Sequence, residues 1–134
     1  MSRPKFRQEV IDDTLRKLHL AVQGIKASVV VNRDGLLVAS FPPGDDSDPL
    51  ANPTSSPQVA AMSATLIGLA ERTLNRLEQG ELERLLMEGE SGVMVVYPAG
   101  RATLAVLVDK QQKLGPVLYA AARTAKSVAE VLAG

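Results

Sequence analysis

A chain of 134 residues, 46% of them hydrophobic, is long enough for one domain with its own core. Only 3% is aromatic (two Phe, two Tyr, no Trp), so that core must be aliphatic, and there is no base-stacking platform for single-stranded nucleic acid. Fifteen basic and fifteen acidic side chains cancel, and the lack of Cys excludes disulfides and thiolate metal sites.

Residues 1–7 read as an N-terminal tail, and "MSRPKFRQEV" lacks the apolar run of a secretory signal. The spacing of Ile11, Leu15, Leu18 and Val22 predicts a helix over 8–22, ended by Gly24. "IKASVVVNRDGLLVASF" then predicts a β-hairpin around Asp34-Gly35. Its two arms are nearly continuous apolar runs, as expected of strands that are central or covered on both faces. "PPGDDSDPLANPTSSP" (42–57) carries five of the eight prolines and no basic residue, and reads as an exposed loop. Asp46-Ser47-Asp48 begins like a calcium loop, but Ala51 and Pro57 stand where the glycine and the glutamate belong.

The longest helix is predicted from Gln58 to Gln79, with Ser56 as N-cap and Pro57 in the first helical position. One stripe of it, Val59, Met62, Leu66, Leu69, Thr73 and Leu77, is expected to face the core. A second face (Ala61, Ala64, Thr65, Gly68, Glu71, Arg72, Asn75) begins with small residues that let another helix backbone approach closely. "ELERLLMEGES" (81–91) alternates as a charged edge strand, with Leu82, Arg84 and Leu86 on one side. A second hairpin follows over 92–109 around Pro98 to Arg101. A closing helix over 114–132 has the stripe Leu114, Val117, Ala121, Ala125 or Thr124, Val128 and Leu132. The order α-β-β-α-β-β-β-α, rich in hairpins, predicts a single α+β domain over 1–134 with an antiparallel sheet.

Charge is segregated along this order. Residues 1–26 hold six basic against three acidic groups, and 100–134 five against two. The stretch 42–58 holds only Asp45, Asp46 and Asp48, and 71–90 has six acidic against three basic groups. Basic ends around an acidic middle argue against wrapping nucleic acid and suit a charge-complementary protein contact. "AAMSATLIGLA" (60–70) is well short of the ~20 residues that span a bilayer, so a soluble cytoplasmic protein is expected.

The residues make no case for catalysis. His19 is the only histidine and has no nucleophile with motif context beside it. No Walker loop, dinucleotide fingerprint or HExxH sequence occurs, so no cofactor or metal is expected. Glu81, Glu83, Glu88 and Glu90 read as edge-strand charges that discourage aggregation. Arg33 and Arg101 read as solubilising residues at hairpin tips, and Arg72 and Arg76 as helix-surface cations.

"GIKASVVVNRDGLLVAS" (24–40) resembles the first helix-to-hairpin passage of the roadblock/dynein light chain 7 family. The similarity continues through the long Ala/Ser-rich helix, the charged strand, the hairpin "VMVVYPAG…ATLAVLVD" and the closing amphipathic helix, over 8–132. The resemblance implies a roadblock/profilin-like fold and a homodimer in which second helices pack antiparallel and middle strands pair edge to edge. On this chain that assigns the dimer interface to Ala61, Ala64, Thr65, Gly68, Leu82, Arg84 and Leu86. It further implies a non-enzymatic regulator or scaffold for a Ras-like small GTPase, similar to the free-standing bacterial gliding-motility type. Glu71, Arg72, Asn75, Asp45 and Asp46 are the candidate partner contacts. The alternatives are a profilin- or PAS-like small-molecule sensor and a pure scaffold without effect on GTP hydrolysis.

Overall fold

The computed structural model describes residues 3–43 and 53–133. Its elements are α1 (Arg3–Ala21), β1 (Ile25–Asn32), β2 (Leu37–Phe41), α2 (Pro57–Arg76), β3 (Leu85–Glu88), β4 (Gly92–Ala99), β5 (Ala102–Asp109) and α3 (Leu114–Ala133). The strands form one antiparallel sheet in the order β2-β1-β5-β4-β3. The predicted order and class are those observed. The first helix begins at Arg3, so most of the expected tail is helical, and a short 3-10 turn at Pro53–Ser55 interrupts the expected loop.

Side chains alternate across the sheet. Val30, Val93, Val95, Tyr97, Leu104, Val106 and Val108 point to one face, where they pack with Ile11, Leu15 and Leu18 of α1 and Val117, Ala121, Ala125 and Val128 of α3. Both helical stripes read from the sequence are therefore core. Val29, Val31, Val96 and Ala105 point to the other face and meet Ala60 and Ile67 of α2. The sheet is thus sandwiched, with two helices on one side and one on the other.

The first hairpin's arms differ. β1 is internal and buried along most of its length, as its apolar run predicts. Among the described residues β2 is the sheet's edge, and Leu37 is exposed. α1 partly guards that edge: Gln8 Nε2 donates to the Val38 carbonyl at 2.5 Å.

The turns double as docking points. Gly35 has φ +84, and a Cβ there would lie 3.0 Å from Ala61 Cα, so the first turn seats α2. Gly100, φ +66, would put a Cβ 3.0 Å from Ala129 Cβ, so the second turn seats α3 on the opposite face. A left-handed conformation and a close approach coincide at both positions, which is why glycine stands there.

Candidate interaction surfaces

α2 begins as the sequence predicts. Ser56 is its N-cap, with Oγ accepting from Val59 N at 3.3 Å, and proline opens the first turn. It stops at Arg76, short of the expected Gln79. Gln79 N donates to the Leu74 carbonyl and Glu78 N to the Asn75 carbonyl, with Glu78 at φ 56, which is a Schellman end.

The face that α2 buries differs from the one expected. Ala60, Ser63 and Ile67 are its buried residues, and Ala64 packs beside them. In the expected core stripe, Met62 is 60% exposed, Leu69 49% and Leu77 61%, Thr73 is exposed, and Val59 and Leu66 are half-buried. The valines of β1 and β4 already fill most of the space under the helix, so Ala60, Ser63 and Ala64 lie between it and the sheet with Ile67 as the one large side chain among them. The larger aliphatics are turned outward as a ridge.

The residues expected at a dimer interface are spread over several environments. Ala64 faces the sheet, Ala61 backs onto Gly35, and Thr65 is exposed with Oγ1 donating to the Ala61 carbonyl at 3.0 Å. Gly68 is half-buried and has nothing within 4 Å of where a Cβ would stand. With Ala64, Ile67, Glu71, Pro98 and Arg33 it lines a hollow of about 120 Å³. Arg33 Nη2 donates to the Gly100 carbonyl at 3.2 Å, so this arginine ties the two hairpin tips together.

Of the candidate partner contacts, Glu71 is half-buried beside that hollow, while Arg72 and Asn75 are exposed on the same flank of α2. Asp45 and Asp46 lie outside the described residues.

β3 is shorter than expected. Only Leu85–Glu88 pairs with β4, and β3 forms the outer edge of the sheet. Leu82 and Arg84 precede the strand. The expected alternation therefore does not run through them: Leu82 packs against the α2-side cluster, while Leu86, opposite Val95, faces the other side. The edge glutamates are exposed, and Glu88 pairs with Lys110 at 3.5 Å.

α2 crosses the sheet near its turns, with Ala61 over the first tip and Gly68 and Glu71 beside the second. At the far end of the strands, Met87, Met94 and Leu107 line an open, shallow hollow rimmed by Lys26, Glu88 and Glu90. Sequence reasoning missed this strip. Its signal was present in the methionines of β3 and β4, which fill irregular or exchangeable surfaces more readily than valine does.

His19 is anchored within the fold. Its Nε2 shares a hydrogen bond of 2.9 Å with the buried Ser28 hydroxyl, and its ring stacks tilted on Phe41 at 4.6 Å. Burial pushes its pKa down. Among the described residues no group of three or more His, Asp or Glu is placed to hold a metal ion, and no helix is long and apolar enough to cross a membrane.

Comparison with known proteins agrees with this geometry. Over 119 residues the chain is 36% identical to the uncharacterized protein MJ1340 of Methanocaldococcus jannaschii, covering 89% of this chain and 96% of that one. The Roadblock/LC7 domain from Streptomyces avermitilis superposes with a TM-score of 0.78 at 25% identity, over 92% of this chain and 98% of that one. MglB of Myxococcus xanthus superposes with a TM-score of 0.78 at 16% identity, over 94% and 90%, a likeness of fold. The sheet order, the two-and-one helix sandwich and a family-model match to the Roadblock/LC7 domain over residues 11–109 together place this chain in the Roadblock/LC7 family.

Proposed function

We propose that this protein is a non-enzymatic homodimeric regulator or scaffold for a Ras-like small GTPase, acting in the cytoplasm. The observation that carries the reading is the outward ridge of Met62, Leu66 and Leu69 on α2. It lies on the helix of a Roadblock/LC7 chain that covers the Met87/Met94/Leu107 strip of its sheet only in part. An isolated protomer would leave both surfaces in water, and a second copy laid antiparallel covers them by two-fold symmetry. Ridge residues then replace most of the small face as the helix-pairing surface, and β3 supplies the free edge, with Leu86 in the strand and Leu82 and Arg84 just before it.

The GTPase is assigned to the flank of α2 that carries Glu71, Arg72 and Asn75, with Asp45 and Asp46 of the neighbouring loop. Regulation there works by differential contact with the partner's switch regions. A small-molecule sensor would need a pocket of roughly 300–1,000 Å³. The hollow between the sheet and α2 is about 120 Å³, too small for such a ligand at that place.

The test is single-turnover GTP hydrolysis by a small GTPase encoded beside this protein, together with a pull-down. Binding with a changed rate identifies a regulator, and binding at an unchanged rate a scaffold. No binding at tens of micromolar would overturn the reading.

A further inference from the structure

On the sheet face opposite α2, α1 and α3 lie together but do not close the seam between them. A groove of about 600 Å³ remains, with Leu18 and Ala120 among its apolar lining and Lys17, Tyr119 and Arg123 among its polar lining. Tyr119 is 68% exposed. The Arg123 guanidinium stands 5.8 Å over its ring and donates to its hydroxyl at 3.4 Å, which holds both side chains upright. Lys17 is paired with Asp13 at 3.2 Å, but among the described residues no carboxylate stands within 4.0 Å of Arg123. Among the described residues no carboxylate lines the groove, and its remaining polar groups are hydroxyls such as Thr14 and Ser127.

The wider charge pattern has the same sense. Over 7–21 of α1 basic and acidic residues balance at three each, and α3 carries Arg123 and Lys126 against Glu130, so the small basic excess of this helical layer sits on α3. The stretch 77–91 on the far edge carries five glutamates against one arginine.

We propose that the α1–α3 groove is a docking site for an acidic peptide segment of a partner protein. The segment inserts an aliphatic side chain between the two helices and places a carboxylate on Arg123. Tyr and Arg are the residue types that dominate binding energy at protein interfaces, and a guanidinium free of internal carboxylates accepts a carboxylate in bidentate fashion. A concave groove with an apolar floor favours a peptide over a lipid surface. One exposed aromatic and a small basic excess do not make a nucleic-acid site. The proposal does not rest on the function proposed for α2, because the two surfaces lie on opposite faces of the sheet.

The experiment is an amide-resonance titration of the full chain with a short synthetic peptide of Glu and Leu, and with its Lys-for-Glu counterpart. Expected are shifts at Thr14, Lys17, Ala120 and Arg123 with the acidic peptide only, and an affinity that falls with salt. Arg123→Glu should weaken binding about tenfold or more while leaving the circular dichroism unchanged, and Arg123→Lys should retain part of it. Shifts confined to α2, equal binding of both peptides, or unchanged binding by Arg123→Glu would overturn the proposal. So would groove shifts that appear only with phosphatidylserine vesicles, or on raising the protein concentration alone. Sedimentation of the same samples reads pairing through α2 separately.

Discussion

The side-chain oxygen of Asn32 accepts two backbone hydrogen bonds, from Asp34 N at 2.9 Å and Leu36 N at 3.0 Å, while Gly35 N donates to the Asn32 carbonyl. The first hairpin is therefore closed by Asn32 and Gly35, and the Asp34 carboxylate is not used in it. Asn32→Ala should cost about 1 kcal/mol in urea unfolding, with Asp34→Ala near neutral, since each retained bond contributes roughly 0.5–1.5 kcal/mol net. A reversed ranking would show that Asp34 carries the turn. His19 makes the second residue-scale prediction. Its folded pKa lies below the unfolded value of about 6.5, so on acidification the unfolded chain takes up the proton first. Stability from this group is complete above about pH 6.5 and falls as pH drops from there towards the lowered folded pKa. It is level again below both. Measured denaturation midpoints should lose that step in His19→Gln. A step that survives the substitution would belong to another group.

α2 marks how far the sequence could be read. Its start and its amphipathic character were legible, because capping and the 3.6-residue period are local properties, whereas its end came three residues early at the Glu78 turn. The face that meets the sheet, Ala60, Ser63 and Ile67 with Ala64, was not legible, since it falls between the two stripes and depends on the volume left by Val29, Val31 and Val96, residues far away in the chain. The same limit shortened β3: alternation at 81–88 is local, but pairing needs β4, which engages only Leu85–Glu88. α1 and α3, by contrast, each had a single apolar stripe, and their buried faces followed from it. Gly68 separates the two ways in which α2 can pair. It is half-buried in the helix interior with open space where a Cβ would stand. If the ridge is the pairing surface, Gly68→Ala should stabilise the protein by about 0.5–1 kcal/mol with the oligomeric state unchanged. If the small face pairs instead, the added methyl should weaken the dimer in sedimentation.

The whole molecule is covered unequally on its two sides. β1, β4 and β5 are each eight residues long, roughly 26 Å at ~3.3 Å per residue. On one side α1 and α3 together bury that length. On the other, a single helix about 10 Å across sits near the turns, and the far ends stay open at Met94 and Leu107. Exposed apolar surface of this kind, bordered by the outward ridge of α2 and by the unpaired edge of β3, is what an obligate partner would remove from water. Substituting Met62→Glu with Leu69→Glu places two charges on the ridge without touching Ala60, Ser63 or Ile67, the residues that hold α2 to its own sheet. The double variant should sediment as a monomer with unchanged circular dichroism, and amide exchange in β3 should speed up as its outer edge opens to water. The wild-type unfolding temperature should rise with protein concentration, as binding of folded copies to each other requires, and the variant's should not. A wild type that is monomeric at tens of micromolar, or a double variant that stays dimeric, would remove the two-fold platform and with it the reason for placing a GTPase on α2.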